Sequence, residues 1–343
     1  MPEPVLRPAT TSGTPDVVPS HAAAAPAWRR WAGLAQQQGA VVALVVALVF
    51  GVARYAAFAT PENLLNVLRQ NSMVGLLALG MTFVILTGGI DLSVGSLLAV
   101  AGVAAASLSA RGTVVAALVA IALAALLGLV NGLLIARARL QPFVVTLAMM
   151  IAARGAALAY TGESSVSVAD TATGLVWLGR GEIGPVPTPV VLLAAAFAIG
   201  WLVLRYTAFG RHVYAVGDDP DAARLLGLGT DRVLVATYAL SGALAGLGGV
   251  VLAARLGAGQ PVAGTGWELD AIAAVVVGGT LLTGGVGGAG RTLAGVLLLG
   301  IILNLLNLEG TFSPWWQWVI RGAFLLAVVV VQGRAQRTSE GAS

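Results

Sequence analysis

GMTFVILTGGIDLSVGSLLAVAG, residues 80–102, reads as two apolar helices joined by a break. Met81–Leu86 and Leu97–Val103 are almost wholly apolar, whereas Gly88 and Gly89 stand between them, each costing a helix interior about 1 kcal/mol relative to alanine. Asp91 follows at the start of the second half, with Ser93 and Gly95 just after it. Two placements satisfy this pattern. In one, the break is a cytoplasmic turn between two spans and Asp91 is a helix cap. In the other it is a discontinuous helix at membrane depth, where freed backbone groups are tolerated only against protein or a watery cavity. Asp91 then stands near a substrate route, since an ionisable side chain in a bilayer is costly enough to mark function.

Outward from this break the chain is oily throughout. Hydrophobic residues make up 58% of the 343, charged ones only 10%, and mean hydropathy is +0.90, against about 25% charged in soluble domains. The chain is therefore an integral membrane protein. Apolar runs near the bilayer-spanning length of about 20 residues are expected at 40–57, 65–87, 92–108, 113–135, 142–160, 188–206, 233–254, 270–282, 292–308 and 316–331. The expected fold is all-α and polytopic, about ten transmembrane helices with at least one Gly-rich break (Gly88, Gly89, Gly95). Residues 1–38 read as a disordered cytoplasmic tail, 39–332 as the transmembrane domain and 333–343 as a second cytoplasmic tail. A signal peptide is not expected, because the first apolar run starts near Gly39 and lacks a clear cleavage site.

The chain has no cysteine, and all 19 of its basic residues are arginine. Disulfides, thiolate metal sites and a cysteine nucleophile are excluded. Without lysine there is neither a Walker A contact to nucleotide phosphate nor a Schiff base, so ATP, if it drives this protein, binds to another chain. His21 and His212 have no ligand set around them, so no metal site and no histidine catalysis are expected. The pI near 10 reflects arginines that orient the chain rather than an affinity for nucleic acid. With the N-terminus inside, the cytoplasmic segments hold twelve arginines (7, 29, 30, 137, 139, 205, 211, 224, 232, 291, 334, 337) and the opposite side five (54, 69, 111, 180, 255). That asymmetry puts both termini and the 207–232 loop in the cytoplasm, and the 161–187 loop outside, as a docking ledge or a simple connector.

Within the cytoplasmic loop, GRHVYAVGDDPDAARLLGLGTDR (210–232) carries a short helix signal. Asp219 caps it, Pro220 takes the first turn, Asp221 lies at the positive end, and Gly227 or Gly229 stops it. Ala222, Ala223, Leu225 and Leu226 give the helix a dry side that its own loop cannot bury, so it asks for a partner. A second polar-and-glycine block is GAGQPVAGTGWELDAIAAVVVGGTLLTGG, 257–285. Gln260, Thr265, Glu268 and Asp270 can exchange hydrogen bonds with hydroxyls, Trp267 suits either an apolar sugar face or the membrane interface, and Gly278, Gly279, Gly284 and Gly285 suit close helix contact. Asn131, Arg154, Asn304, Asn307 and Arg321 are further polar residues at depth, expected to bond helix to helix.

Three of these blocks, GIDLSVG, AARLLG and GTGWELDAIAAVV, occur in the order found in the permease subunits of ribose/xylose-type ABC importers, and the chain resembles that family over about 63–332. In place of the family's usual paired Asn followed by Gly, this chain has Leu303, Asn304 and Leu305. The resemblance implies a non-enzymatic transport subunit of a bacterial plasma membrane. Asp219–Gly227 would be its docking helix for a separate cytoplasmic ATPase, which carries the ATP and Mg. It further implies a second permease chain, identical or paralogous, an extracytoplasmic sugar-binding protein, and monosaccharide import by alternating access. Asp91, Ser93, Asn131, Gln260, Thr265, Glu268, Asp270, Asn304 and Asn307 are the expected substrate-path residues. The competing reading is an ion-coupled secondary transporter with Asp91, Glu268 or Asp270 as its carboxylate.

Overall fold

A computed structural model describes residues 27–310, with side chains from Gly39 onward, and isolated helical positions between 315 and 330. Twelve α-helices fall in 27–310: α1 (Ala27–Arg54), α2 (Pro61–Leu86), α3 (Val94–Leu108), α4 (Thr113–Arg137), α5 (Pro142–Thr161), α6 (Thr173–Arg180), α7 (Thr188–Tyr206), α8 (Ala208–Asp218), α9 (Pro220–Leu225), α10 (Thr230–Leu256), α11 (Trp267–Val277) and α12 (Ala289–Glu309). Two small antiparallel ladders complete it, β1 (Val166–Ser167) with β4 (Ala258–Gly259) and β2 (Glu182–Ile183) with β3 (Val186–Pro187).

Among the described residues seven helical segments are long and apolar enough to cross a membrane: α2, Val94–Arg111, α4, α5, α7, α10 and α12. Each matches an expected span closely, because prolines at the first turn of α2, α5 and α7 set their starts and glycines past α10 and α12 set their ends. Three expectations differ. The first span belongs to α1, which begins at Ala27, inside the stretch read as a tail; AWRRWAGLAQQQ contains no proline or β-branched residue to prevent helix. The eighth expected span, 270–282, is only the 11-residue α11, too short to cross a bilayer. Of the tenth, 316–331, only separate helical positions are described, and Arg321 and both tails, as far as 26 and from 331, lie outside the described residues.

The bundle is built around α10, whose largest interface is with α4. Gly128 on α4 faces Gly242 on α10, with Gly132 against Val235 and Gly246 against Ile121 on either side, and a Cβ on Gly128 would stand 2.3 Å from the Tyr238 carbonyl while one on Gly242 would stand 2.3 Å from that of Ala124. Lipid tails are as apolar as leucine, so helices associate in a membrane through such close packing rather than through hydrophobic burial.

Two helices stop inside this bundle in the same way. At the end of α2, Gly88 has φ +76°, its N–H donates to Ile85, and the Gly89 N–H donates to Val84. At the end of α11, Gly279 has φ +89°, its N–H donates to Val276, and the Thr280 N–H donates to Val275. Both are glycine-terminated caps that satisfy the last carbonyls without water. The two breaks meet, Gly285 donating to the Leu86 carbonyl at 3.0 Å, with the end of α8 wedged against them: a Cβ on Gly217 would lie 1.7 Å from that carbonyl. One glycine assignment is corrected here. Gly95 is inside α3 rather than in the break, and needs to be small because a Cβ would meet Glu268 and the Gly264 carbonyl at 2.4 Å. Gly278, Gly284 and Gly285 make the close helix contacts expected of them, although Gly279, Gly284 and Gly285 lie in the non-helical 278–288 segment: a Cβ on Gly278 would stand 2.5 Å from the Arg291 carbonyl of α12, and one on Gly284 2.7 Å from the Gly217 carbonyl of α8.

Candidate functional site

Three features stand out from the apolar bundle. The first is a foot at the end bearing the 207–232 loop. Asp219 accepts hydrogen bonds from the Asp221 and Ala222 N–H groups, both at 2.9 Å, and Pro220 starts α9. Gly227, at φ +79°, ends it with the same glycine cap as α2 and α11, its N–H bonding Arg224 and that of Leu228 bonding Ala223. Ala223 is buried with Val213, Val216 and Val233, which fastens the helix to the bundle. Arg224 pairs with Asp221 at 2.8 Å and donates to the Thr230 hydroxyl. Leu225 and Leu226 face outward, 89% and 80% exposed.

The second feature is a polar knot at the first break. Asp91 is fully buried. Its Oδ1 accepts the Ser93 N–H at 3.0 Å and the Ser93 hydroxyl at 2.6 Å, and its Oδ2 accepts the Ser241 hydroxyl of α10 at 2.9 Å. Asn131 of α4 donates to the Ser93 hydroxyl at 3.0 Å, while Tyr238 and Thr146 both donate to the Ile90 carbonyl. Asn131 is six residues from the Arg137 end of α4 and Ser241 eleven from the Thr230 end of α10, so the knot lies roughly 9–16 Å inside the bundle at 1.5 Å per residue. Asp91 is not the cap of α3, a position Ser93 takes without a side-chain cap bond; it holds the turn ahead of that helix and ties it to α10 inside the bundle.

The third feature is a cavity of about 600 Å³ between α2, α10, α11 and α12, with Ile320 also on its wall. Its mouth lies among the opposite ends of those helices, at Asn63, Leu256, Trp267 and Leu308, and its floor is Met73, Ala274 and Val296. That end is tied by Arg69–Glu182 at 3.3 Å, by Arg180 donating to the Arg255 carbonyl, and by Glu309 with Arg54 and Tyr55.

These features sit in a recognisable relative order along the chain. Residues 63–329 match the family described as branched-chain amino acid transport system / permease component. The chain belongs to that family. This permease is 42% identical to the ribose import permease protein RbsC of Escherichia coli K12 over 304 residues, 88% of this chain and 94% of the relative. It is 42% identical to RbsC of Bacillus subtilis over 301 residues, 87% and 93% of the two chains, and 32% identical to the xylose transport system permease protein XylH of Escherichia coli K12 over 358 aligned positions, 86% and 91%. No solved structure matches it significantly. Its family is one of membrane transport permeases, not enzymes.

The structure divides the permease's expected path residues into groups. Asp270, Asn304 and Asn307 line the cavity, with Trp267. Asp91, Ser93 and Asn131 do not reach it; they are the buried knot. Gln260, Thr265 and Glu268 stand apart in the segment between α10 and α11, where Thr265 bonds the Val262 carbonyl, Glu268 accepts the Gly266 N–H, and Arg154 of α5 holds the Pro261 and Ala263 carbonyls at 2.6 Å each. Sequence reasoning missed Asn63, Asn66, Gln70 and Asn71, which line the cavity from α2. Their spacing of three, seven and eight residues from Asn63 is one helical face, a polar stripe that was present in the sequence to be read.

Proposed function

We propose that this permease is the membrane subunit of a bacterial ATP-driven importer of a ribose- or xylose-like monosaccharide. Both termini and α9 face the cytoplasm, and α9 docks into a separate ATPase chain that carries ATP and Mg. A second permease chain, an identical copy or a paralogue, completes the pore, and an extracytoplasmic binding protein delivers sugar to the opposite end. Closure of the ATPase pair draws the two α9 feet together and reorients the bundle. Only contacts that differ between the two orientations drive such a change, and the shared junction of Gly88, Gly217 and Gly285 links the foot directly to the two broken helices.

The observation that carries this reading is the outward pair Leu225 and Leu226 on a helix otherwise held by its cap and by Ala223. The ribose and xylose names of the relatives support the solute class, and the arginine asymmetry supports the orientation. In the reconstituted complex, Leu226→Asp is expected to lower ATP-dependent sugar uptake about 30-fold, the weight of a buried interface anchor of about 2 kcal/mol, while the permease still inserts and the ATPase still hydrolyses ATP. Uptake that persists without the ATPase and collapses with an uncoupler would instead establish the ion-coupled reading, for which a carboxylate open to water is needed; of its three candidates Asp91 is fully enclosed, whereas Glu268 and Asp270 are half-buried.

A further inference from the structure

Among the described residues six carboxamides converge on the cavity: Asn63, Asn66, Gln70 and Asn71 from α2, and Asn304 and Asn307 from α12. Asn63 and Asn304 hold each other reciprocally, at 3.1 and 2.8 Å, across the mouth, which fixes α2 against α12 there. Deeper in, a Cβ on Gly300 would meet the Asn71 amide at 2.4 Å, so a glycine is what lets that amide lie against α12. A helix pair in an apolar bundle needs one or two such groups for adhesion; a row of amides about 12 Å long on one face exceeds it.

We propose that this cavity is a solute site within the permease itself, which takes a neutral polyhydroxylated molecule of monosaccharide size during its passage. The inference rests on the sugar-import reading above and adds to it a location and a recognition chemistry. A carboxamide both donates and accepts, as a hydroxyl does, so a row of them matches a polyol without adding charge. Among the described residues the two charged side chains on the wall, Arg255 and Asp270, are of opposite sign, so this described wall carries no net charge to select an ion. Trp267 at the mouth offers a flat apolar face. The volume falls within the 300–1,000 Å³ usual for small-molecule sites. The floor of Met73, Ala274 and Val296, each at most 1% exposed, closes the cavity toward α9, so the site is loaded from the end where Arg69 and Glu182 meet.

The absence of native cysteine supplies the test. Asn66→Cys and, separately, Asn307→Cys in the full chain in lipid nanodiscs each place one thiol on the cavity wall, and Ser164→Cys places one on the exposed 161–187 loop. A water-soluble maleimide is expected to label all three. D-ribose or D-xylose, raised to about 100 mM, is expected to slow labelling at 66 and 307 about tenfold once it exceeds its dissociation constant about tenfold, and to leave Ser164→Cys unchanged; L-leucine is expected to protect neither. Failure of the maleimide to reach both wall positions, equal labelling with and without sugar, or protection by L-leucine rather than sugar each overturns the proposal. ATPase-dependent sugar uptake by the complex, measured alongside, separates the two readings: uptake without protection removes this site and leaves the importer intact.

Discussion

At Asp91, three donors from two helices converge on one carboxylate, so its removal strands them in an apolar interior rather than merely deleting a side chain. An unsatisfied buried donor costs about 1–3 kcal/mol. Asp91→Ala is therefore expected to lower the thermal midpoint of the purified permease more than Ser241→Ala, which removes a single donor, about 1 kcal/mol in net terms; the reverse ranking would show that the knot does not hold the break. The glycines make a matching pair. Gly227 has open space around its missing Cβ, so Gly227→Ala meets only the left-handed backbone penalty of about 1–2 kcal/mol. Gly217→Ala puts a carbon 1.7 Å from a carbonyl oxygen, and is expected to reduce the yield of folded permease severely where Gly227→Ala does so mildly, as read by size-exclusion profiles of the two proteins.

At the scale of elements, the α4–α10 pair is the spine. Gly242→Leu forces apart backbones that touch through glycine on both sides, and overpacking of this kind costs about 1–3 kcal/mol where a core can adjust and more where backbone is the neighbour. The same change at Gly155 of α5, with nothing within 4 Å, is expected to be nearly silent; equal loss of thermal stability in the two variants would mean that this spine has been misplaced. The elements also show what hydropathy reads well and badly. α7 and the start of α9 were legible to the residue, and the end of α9 to within Gly227 or Gly229, since apolar length, an Asp-Pro start and a Gly stop are all local signals. α11 was not, because the apolar run continues past Val277 while the backbone leaves the helix at Gly278–Gly279 to reach Leu86. Glycine permits either course, and the partner that decides it lies about 200 residues away in the chain.

For the whole molecule, the foot and the rim occupy opposite ends of the bundle, separated by the length of α7, about 28 Å at 1.5 Å per residue. The proposed orientation is checked in intact cells: an impermeant maleimide is expected to label Ser164→Cys and to reach Asp221→Cys only after the membrane is opened, and the opposite pattern would invert the protein. The sequence by itself determined that this is a helical membrane protein, where most of its spans begin and end, and that a short capped helix with a dry side projects from one loop. Each of those depends on length, hydropathy and caps within a few neighbouring residues. The tertiary structure alone decided that Asp91 is enclosed and that Asp270 and Asn304 share a cavity with an amide face of α2. Ser241 lies 150 positions from the carboxylate it bonds, and Asn304 lies 241 from Asn63; no local pattern specifies partners at that separation, because they are selected by which helix faces pack together.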